Sequence, residues 1–207
     1  MTRVGSIVAA LAMSLISMSS AKAEGMGRTH VKFGVEWGYI ATAHMNHHYN
    51  YTDPVDGFRV DERISRFMLN SNGQANLSIG LEYLGHFSTG IHAGYSGIKQ
   101  DTRVAPLQIR QSYFFNGYDS DGVLAFAGGG LGINEKNGNI SQMGQLGAGY
   151  RVVMSSRTSM DFTASLTAAT DKPSVKDNES GLVIPSEYVN ASDALLVGLN
   201  FSIALHF

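Results

Sequence analysis

Large apolar and small or polar residues alternate along much of the chain. Residues 31–39 read VKFGVEWGY, with large apolar side chains at the odd positions, and residues 195–207 read LLVGLNFSIALHF with the same period. Side chains of a β-strand point to opposite faces in turn, so this period predicts strands with two different faces. Six further segments lie between these two: Ala75–Leu84, Gly90–Ile98, Leu107–Phe115, Val123–Ile133, Gln142–Val153 and Met160–Ala169.

The composition of the two faces indicates which one meets solvent. A soluble barrel places apolar residues inside and charged residues outside, whereas a membrane barrel reverses this arrangement. Here the less apolar face is mostly Gly, Ser, Thr, Ala and Asn, which suit a narrow interior, and the other face carries the large apolar residues. We therefore expect an all-β protein, an eight-stranded antiparallel up-and-down transmembrane β-barrel, because the segments have the length that a tilted membrane strand needs.

The connections between these segments differ in predicted length. In outer-membrane barrels the loops outside the cell are longer than the periplasmic turns, and the two kinds alternate along the chain. The predicted periplasmic turns are short, at 85–89, 116–122 and 154–159. The predicted outer loops are 44–74, 99–106, 134–141 and 170–193. The first and last of these, 44–74 and 170–193, are the expected contact regions for any surface ligand.

The first 23 residues have the pattern of an export signal. Arg3 supplies a positive start, residues 4–18 are mostly apolar, and Ala21-Lys22-Ala23 has the small-x-small form of a cleavage site. We predict a signal peptide over 1–23 and a barrel domain over 24–207, exported through the periplasm to a bacterial outer membrane.

Composition narrows the possible functions. The chain has 207 residues, 24 glycines, no cysteine, and 15 Lys+Arg against 17 Asp+Glu. Without cysteine there is no disulfide, thiolate metal site or thiol nucleophile. The balanced charge, without a basic cluster, argues against binding of nucleic acid. We expect no cofactor.

Aromatic residues gather near the ends of the predicted strands. Amphipathic rings concentrate at the two edges of a bilayer. Trp37 and Tyr39, with Tyr95, are expected in the belt at the outer edge. The belt at the periplasmic edge is expected to contain Tyr83, Tyr113, Phe115, Tyr150 and Phe207.

The last strand carries a resemblance to a family. Its alternating apolar residues are Leu199, Phe201, Ile203, Leu205 and the terminal Phe207. This ending resembles the assembly signal of Gram-negative outer-membrane barrels. Residues 24–207, with the glycine-rich segments 126–132 and 147–150, are similar to the small eight-stranded family of the outer membrane protein A transmembrane domain and outer membrane protein X.

The resemblance implies partners rather than an activity, because members of one fold do different jobs. It implies contact with outer-membrane lipid and lipopolysaccharide, and handling by periplasmic chaperones and the barrel-assembly machinery. It also implies a monomer that anchors its external loops at the cell surface.

Several polar residues fall on the face predicted to point inward. They are Lys32, Glu36, Glu82, His92, Arg110, Arg151, Asp161 and Asn200. Eight strands enclose little more room than their own side chains fill, and unpaired charges are costly there. We expect these groups to pair and plug the barrel, with Lys32, Glu36, Glu82, Arg110 and Arg151 forming the ion pairs. A conducting or substrate pathway is the alternative.

The predicted function is structural or interactive: envelope integrity, adhesion or resistance to external agents. A narrow channel is the first alternative, and a lipid A-modifying enzyme is the second. His30, His92 and His206 could serve such an enzyme as bases, but no local motif links these three histidines to a nucleophile. His44, His47 and His48 could bind a metal if their loop gathered them, although such residues are more often solvated, and we expect no metal.

Overall fold

Eight antiparallel strands close into a barrel in the computed structural model, which describes residues 29–99, 102–135, 138–177 and 181–207. Each strand pairs with its neighbour in the chain, and the first pairs with the last. The strands are β1 (His30–Thr52), β2 (Arg59–Tyr83), β3 (Phe87–Lys99), β4 (Thr102–Phe114), β5 (Gly122–Asn134), β6 (Ile140–Val153), β7 (Ser159–Asp171) and β8 (Val189–His206). The predicted fold is confirmed, while the predicted signal peptide at 1–23 lies outside the described residues.

The connections do not follow the predicted lengths. At one end of the barrel, the turn end, the strands are joined by 84–86, 115–121 and 154–158. At the other, the loop end, the connections are 53–58, 100–101, 135–139 and 172–188. The predicted long loop at 44–74 is therefore wrong, because β1 and β2 continue through most of it. The loop predicted at 170–193 is shorter than expected, because β7 runs to Asp171 and β8 begins at Val189.

The wall of the barrel has an apolar outer face and a mainly polar inner face. Val35 on β1 pairs with Leu77 of β2 and Leu205 of β8, and these side chains point outward. Gly34 and Glu36 flank Val35 along β1; both lie on the inner face and are buried. The period-two pattern thus produces the two faces that it predicted.

A β-bulge interrupts β1 between Thr42 and His44, where the register shifts against both neighbouring strands. Beyond it, residues 44–52 of β1 pair with 59–67 of β2, and residues 44–51 pair with 189–197 of β8; we call this three-stranded region the extended sheet. β2 pairs with β3 only from Gln74 to Tyr83. Within the described residues, the stretch 59–73 of β2 is therefore paired on one side only and leaves a free edge.

The connection 172–188 covers the inner face of the extended sheet. Val175 and Ile184 pack against Tyr49 and Tyr51 of β1 in one buried cluster. The connection has a bridge between Lys176 and Val183 and ends in a short 3-10 helix, Ser186–Tyr188. None of the described helical structure is long and apolar enough to cross a membrane.

Glycine permits close contacts between strands and a tight turn. A Cβ atom on Gly130 of β5 would lie 2.1 Å from the Leu107 carbonyl oxygen of β4, which no side chain could tolerate. Gly85, in the 84–86 turn, has a φ of +73°, a left-handed conformation that glycine adopts without steric cost. These two roles account for part of the high glycine content.

Candidate functional site: the barrel interior and its loop end

A buried carboxylate organises the middle of the barrel interior. Glu36 of β1 is 1% exposed, and Arg110 of β4 reaches it across the lumen. Arg110 Nη1 donates to Glu36 Oε2 at 2.9 Å and Nη2 to Oε1 at 3.2 Å, a two-point ion pair. The Gln74 amide and the Ser202 hydroxyl donate to Oε1 at 3.1 and 2.9 Å, and His92 Nδ1 lies 3.5 Å from Oε2. This Glu36 cluster ties five strands of the wall together.

A second cluster lies nearer the turn end and centres on Arg151 of β6. Its Nη1 donates to Glu82 Oε1 at 2.6 Å, while its Nε and Nη2 donate to the two oxygens of Asp161 at 2.7 and 2.8 Å. Nη1 also donates to the Tyr118 carbonyl at 3.2 Å, and His206 Nε2 lies 3.1 Å from Asp161 Oδ2. Multiple hydrogen bonds offset much of the cost of burying these charges.

Both arginines lie over aromatic rings that point into the barrel. Arg151 Cζ lies 4.0 Å from the centre of the Phe114 ring, and Arg110 Cζ lies 4.8 Å from that of Phe126. Tyr118 and Leu124 complete this buried aromatic cluster. A ring face attracts a cation, so these contacts add to the ion pairs in holding each guanidinium in place.

Apolar side chains fill the interior toward the loop end. Buried residues of five strands form this apolar layer: Ile98, Val104, Met143, Ala169 and Leu196. Met45 and Met68 pack against it. Apolar side chains give a dissolved ion no replacement for its hydration shell, so this layer opposes ion passage.

Little space remains between these groups. The cavity beside the two ion-pair clusters has a volume of about 40 Å³ and is lined in part by Ser78, Ser88 and Ser112. A water molecule needs roughly 10–15 Å³ of such volume, so the cavity has room for only a few waters. The interior resembles a packed core more than an open pore.

Seven of the eight residues predicted to face inward are buried there. They are Glu36, Glu82, His92, Arg110, Arg151, Asp161 and Asn200. Lys32 is half-buried and also lines the interior cavity, but the prediction that it joins the ion pairs is wrong, because Nζ donates to the Arg157 carbonyl at 3.2 Å. Arg151 already pairs with Glu82 and Asp161, the two carboxylates that line this cavity with Lys32.

Several interior groups escaped the sequence-based prediction. His206 and Gln74 fall on the inward face by alternation, so the period could have identified them. The apolar cluster around Leu124 and Phe126 could not be found this way, because residues 123–127 are apolar at every position. An uninterrupted apolar run does not show which side chains point inward.

The histidines do not gather into one site. His47 points to the inner face, where Nε2 lies 3.0 Å from Ser192 Oγ, whereas His48 is 2.9 Å from Asp61 Oδ1 on the outer face. His44 Nε2 lies 3.2 Å from Ser65 Oγ. Within the described parts of the chain, no group of three His, Cys, Asp or Glu side chains is placed to hold a metal ion.

Two of the three possible catalytic bases, His92 and His206, line the same interior cavity, but each contacts a different carboxylate. His92 belongs to the Glu36 cluster, and His206 contacts Asp161 in the cluster of Arg151. The His30 ring lies 6.0 Å from the ring of Tyr118, edge to face. The two cavity histidines are thus held by carboxylates that are themselves paired with arginines.

The predicted belt residues lie on the outer face of the wall. Tyr83 is half-buried, and its hydroxyl hydrogen-bonds with Thr89 Oγ1 at 3.0 Å. The others are exposed: Trp37, Tyr39, Tyr95, Tyr113, Phe115, Tyr150 and Phe207. Leu199 and Phe201 of the terminal strand are also exposed, while Ile203 and Leu205 are half-buried.

The end of the chain completes the seam between the first and last strands. Phe207 N donates to the Phe33 carbonyl at 2.8 Å, and Phe33 N donates to the Phe207 carbonyl at 3.2 Å. The predicted assembly signal thus lies along the strand that closes the barrel.

The outer face of the extended sheet carries a hydrogen-bonded polar network. Asp61 accepts from Asn50 Nδ2 at 2.8 Å and contacts His48, and these two hydrogen bonds lower the pKa of the Asp61 carboxyl. On the inner face, the Tyr49 hydroxyl donates to Glu62 Oε2 at 2.5 Å. Burial in the inner cluster, with a hydrogen bond to Asp177, raises the pKa of Tyr51.

Comparison with known proteins identifies no family. No family model matches the chain, and no curated protein matches it. Among solved structures, it is similar at 8% identity and a TM-score of 0.19 to the open-gate secretin InvG of the Salmonella SPI-1 type III secretion injectisome, covering 96% of this chain and 64% of that one. The InvG secretin-domain β-barrel from the same injectisome gives 9% identity, a TM-score of 0.16 and coverages of 96% and 66%. The chain thus spans just under two thirds of each.

Proposed function

We propose that this chain is an integral protein of a bacterial outer membrane, a monomer with a structural or surface-interaction role. The barrel anchors the extended sheet and the connection 172–188 outside the cell, and residues 1–23 direct export. The turn end faces the periplasm. Contact with lipid, and assembly with chaperones and the barrel-assembly machinery, belong to this proposal.

One observation carries the proposal: the polarity of the wall inverts along single strands near the bulge. Below the bulge, β1 and β2 point large apolar side chains such as Val35 and Leu77 outward. In the extended sheet, the outward side chains include His48 and Arg63, while Tyr49 and Ile64 point inward. Apolar side chains turn toward lipid and away from water, so a change of solvent at this height explains the inversion.

The packed interior supports an anchoring role over a channel. The two ion-pair clusters cross the lumen, and the apolar layer lies above them. We expect no steady conductance in planar bilayers. Reproducible open channels whose ion preference changes in Glu36→Gln would favour the narrow channel instead.

Orientation can be tested by chemical labelling, because the chain has no native cysteine. Val55 lies in the exposed 53–58 connection and Asp119 in the exposed 115–121 turn. In intact cells, a membrane-impermeant maleimide should label Val55→Cys but not Asp119→Cys. Labelling of Asp119→Cys should require permeabilisation of the outer membrane. Equal labelling of both variants in intact cells would contradict the proposed orientation.

The free edge of β2 supports a role in surface interactions. Among the described strands, β2 pairs only with β1 along 59–73, so its other edge can contact a ligand. Arg59, Arg63 and Arg66 are exposed along this edge, and charges on an edge discourage pairing with an identical copy. This arrangement is compatible with a monomer.

A further inference from the structure

The outer apolar face ends at a defined row of paired residues. Phe67 and Leu69 of β2 are 79% and 75% exposed. Phe67 pairs with His44, which in turn pairs with Val197 of β8. The next outward row, two residues further from the barrel, contains Ser65, Asn46 and Leu195. Leu195 is the last large apolar residue on the outer face of β8. On the proposed function, the edge of the lipid lies near this row.

Two arginines of β2 lie near this boundary: Arg63 lies beyond it, and Arg66 lies next to Phe67. Arg63 follows on the same outward face, four residues from Phe67, or about 13 Å along a strand. Arg66 pairs with Met45 on the opposite face of β2, but at the free edge it is exposed as well. Among the described residues, no carboxylate forms an ion pair with either arginine.

The neighbouring carboxylates are occupied elsewhere. Asp61 bonds to His48 and Asn50, and Glu62 accepts from the Tyr49 hydroxyl. The edge therefore offers two cations beside a highly exposed apolar pair, a combination that fits a ligand with an anionic head and an apolar tail. Guanidinium groups bind phosphate oxygens at two points, which makes phosphate the best-matched anion.

We infer that Arg63 and Arg66, with Phe67 and Leu69, form a binding site for the phosphorylated headgroup of an outer-leaflet lipid. The guanidinium groups bind the phosphates, and the two apolar side chains contact the upper part of the acyl chains. This inference rests on the proposed function, because it needs the boundary row to lie at the membrane surface. It differs from general lipid contact in requiring two named cations.

The test uses the folded protein in detergent with an equal mixture of bisphosphorylated lipid A and phosphatidylcholine, and native mass spectrometry counts the lipids retained. We expect selective retention of lipid A by the wild type. In Arg63→Gln/Arg66→Gln the apparent affinity for lipid A should fall at least about tenfold, because two charge-assisted contacts are lost. Arg157→Gln/Lys176→Gln is the matched control, since it removes two exposed cations elsewhere, and it should retain lipid A as the wild type does.

Other outcomes would overturn the inference in different ways. Equal loss of lipid A retention in both double variants would show that net charge, rather than the two edge arginines, determines binding. Displacement of lipid A by inorganic phosphate at similar concentration would show a site for free phosphate, and displacement by an acidic extended peptide would show a strand-binding edge. Insertion into phosphatidylcholine vesicles is measured separately by protease protection. Failure to insert would overturn the proposed function and this inference together, whereas insertion without lipid A selectivity would overturn the inference alone.

Discussion

The barrel wall and the extended sheet are built from the same strands but have opposite polarity. In the wall, β1 buries Glu36 and exposes Val35; in the extended sheet, it buries Tyr51 and presents His48 outward. In β1 the bulge at 42–44 changes the phase of the alternation, so odd positions that point outward below it point inward above it, whereas odd positions of β2 point outward on both sides. The comparison teaches that one strand can carry opposite polarity along its length, and that in β1 one extra residue reverses which positions face outward.

The largest expected effect is on the ion pairs of the wall. Arg110→Ala removes both guanidinium hydrogen bonds to the buried Glu36. Losing one partner of a buried pair costs about 3–5 kcal/mol, because the remaining charge is uncompensated. Urea unfolding of the protein in vesicles measures this loss.

The control for Arg110→Ala is Lys176→Ala in the exposed part of the last connection, which should change the free energy of unfolding little. Adding Glu36→Gln to Arg110→Ala should restore part of the lost free energy of unfolding, because it removes the buried carboxylate that has lost its arginine. Equal stability of the two single variants would show that the Glu36 cluster does not stabilise the wall.

A second test places the same new charge on the outer face of each region. Val35→Arg puts a cation on the outer face of the wall and should cost about 2–4 kcal/mol if that position lies near the middle of a bilayer. Ala191→Arg makes the corresponding change further along the extended sheet, where Ala191 pairs with Asn50 and water can solvate the charge, and should cost little. The free energies of unfolding of the two variants are compared in lipid vesicles. Similar losses in both would contradict the proposal that lipid surrounds the wall and water surrounds the extended sheet.

The inner face of the extended sheet provides a smaller effect. Tyr49→Phe removes the hydroxyl that donates to Glu62, at a cost of about 1–2 kcal/mol. Hydrogen exchange of residues 44–52 should accelerate while that of the wall stays unchanged. Tyr188→Phe, in the same apolar cluster, is the control and should accelerate exchange less. Acceleration throughout the barrel would indicate that the two regions unfold as one unit.

The smallest expected effect is the pH dependence of the stability of the extended sheet. Hydrogen bonds from His48 and Asn50 lower the pKa of Asp61, so the carboxylate favours the folded sheet at pH values above its unfolded pKa of about 3.9. This contribution disappears as the pH falls through the lower folded-state pKa. Hydrogen exchange of the extended sheet below pH 4 should therefore depend less on pH in Asp61→Asn than in the wild type. An unchanged pH profile would show that the contact has no energetic role.

The sequence predicts the wall well and the extended sheet poorly, for a physical reason. In 31–39 the alternation is unbroken, so strand, register and faces follow from it. In 44–52 the outward residues are polar, the phase has changed, and the segment HMNHHYNYT has the composition of a loop. Only pairing with β2 and β8, which depends on distant residues, makes it a strand.

The candidate site divides in the same way. Glu36 and Arg110 could be placed inside by alternation, but that they bind each other depends on how strands on opposite sides of the lumen face one another. The edge arginines could not be recognised from the sequence, because their exposure follows from the early end of β3 pairing at Gln74.

The two hydrogen bonds between Phe33 and Phe207 also bear on how the molecule forms. They join residues about 170 positions apart, so the entropy of closing the ring is lost only when the last strand arrives. Until then β1 and β8 are both open edges of a curved sheet whose outer surface is apolar, a form prone to pairing with other chains. Pairing of β8 with β1 therefore removes two open edges at once, so we expect the closed barrel to resist pairing with other chains better than any incomplete form.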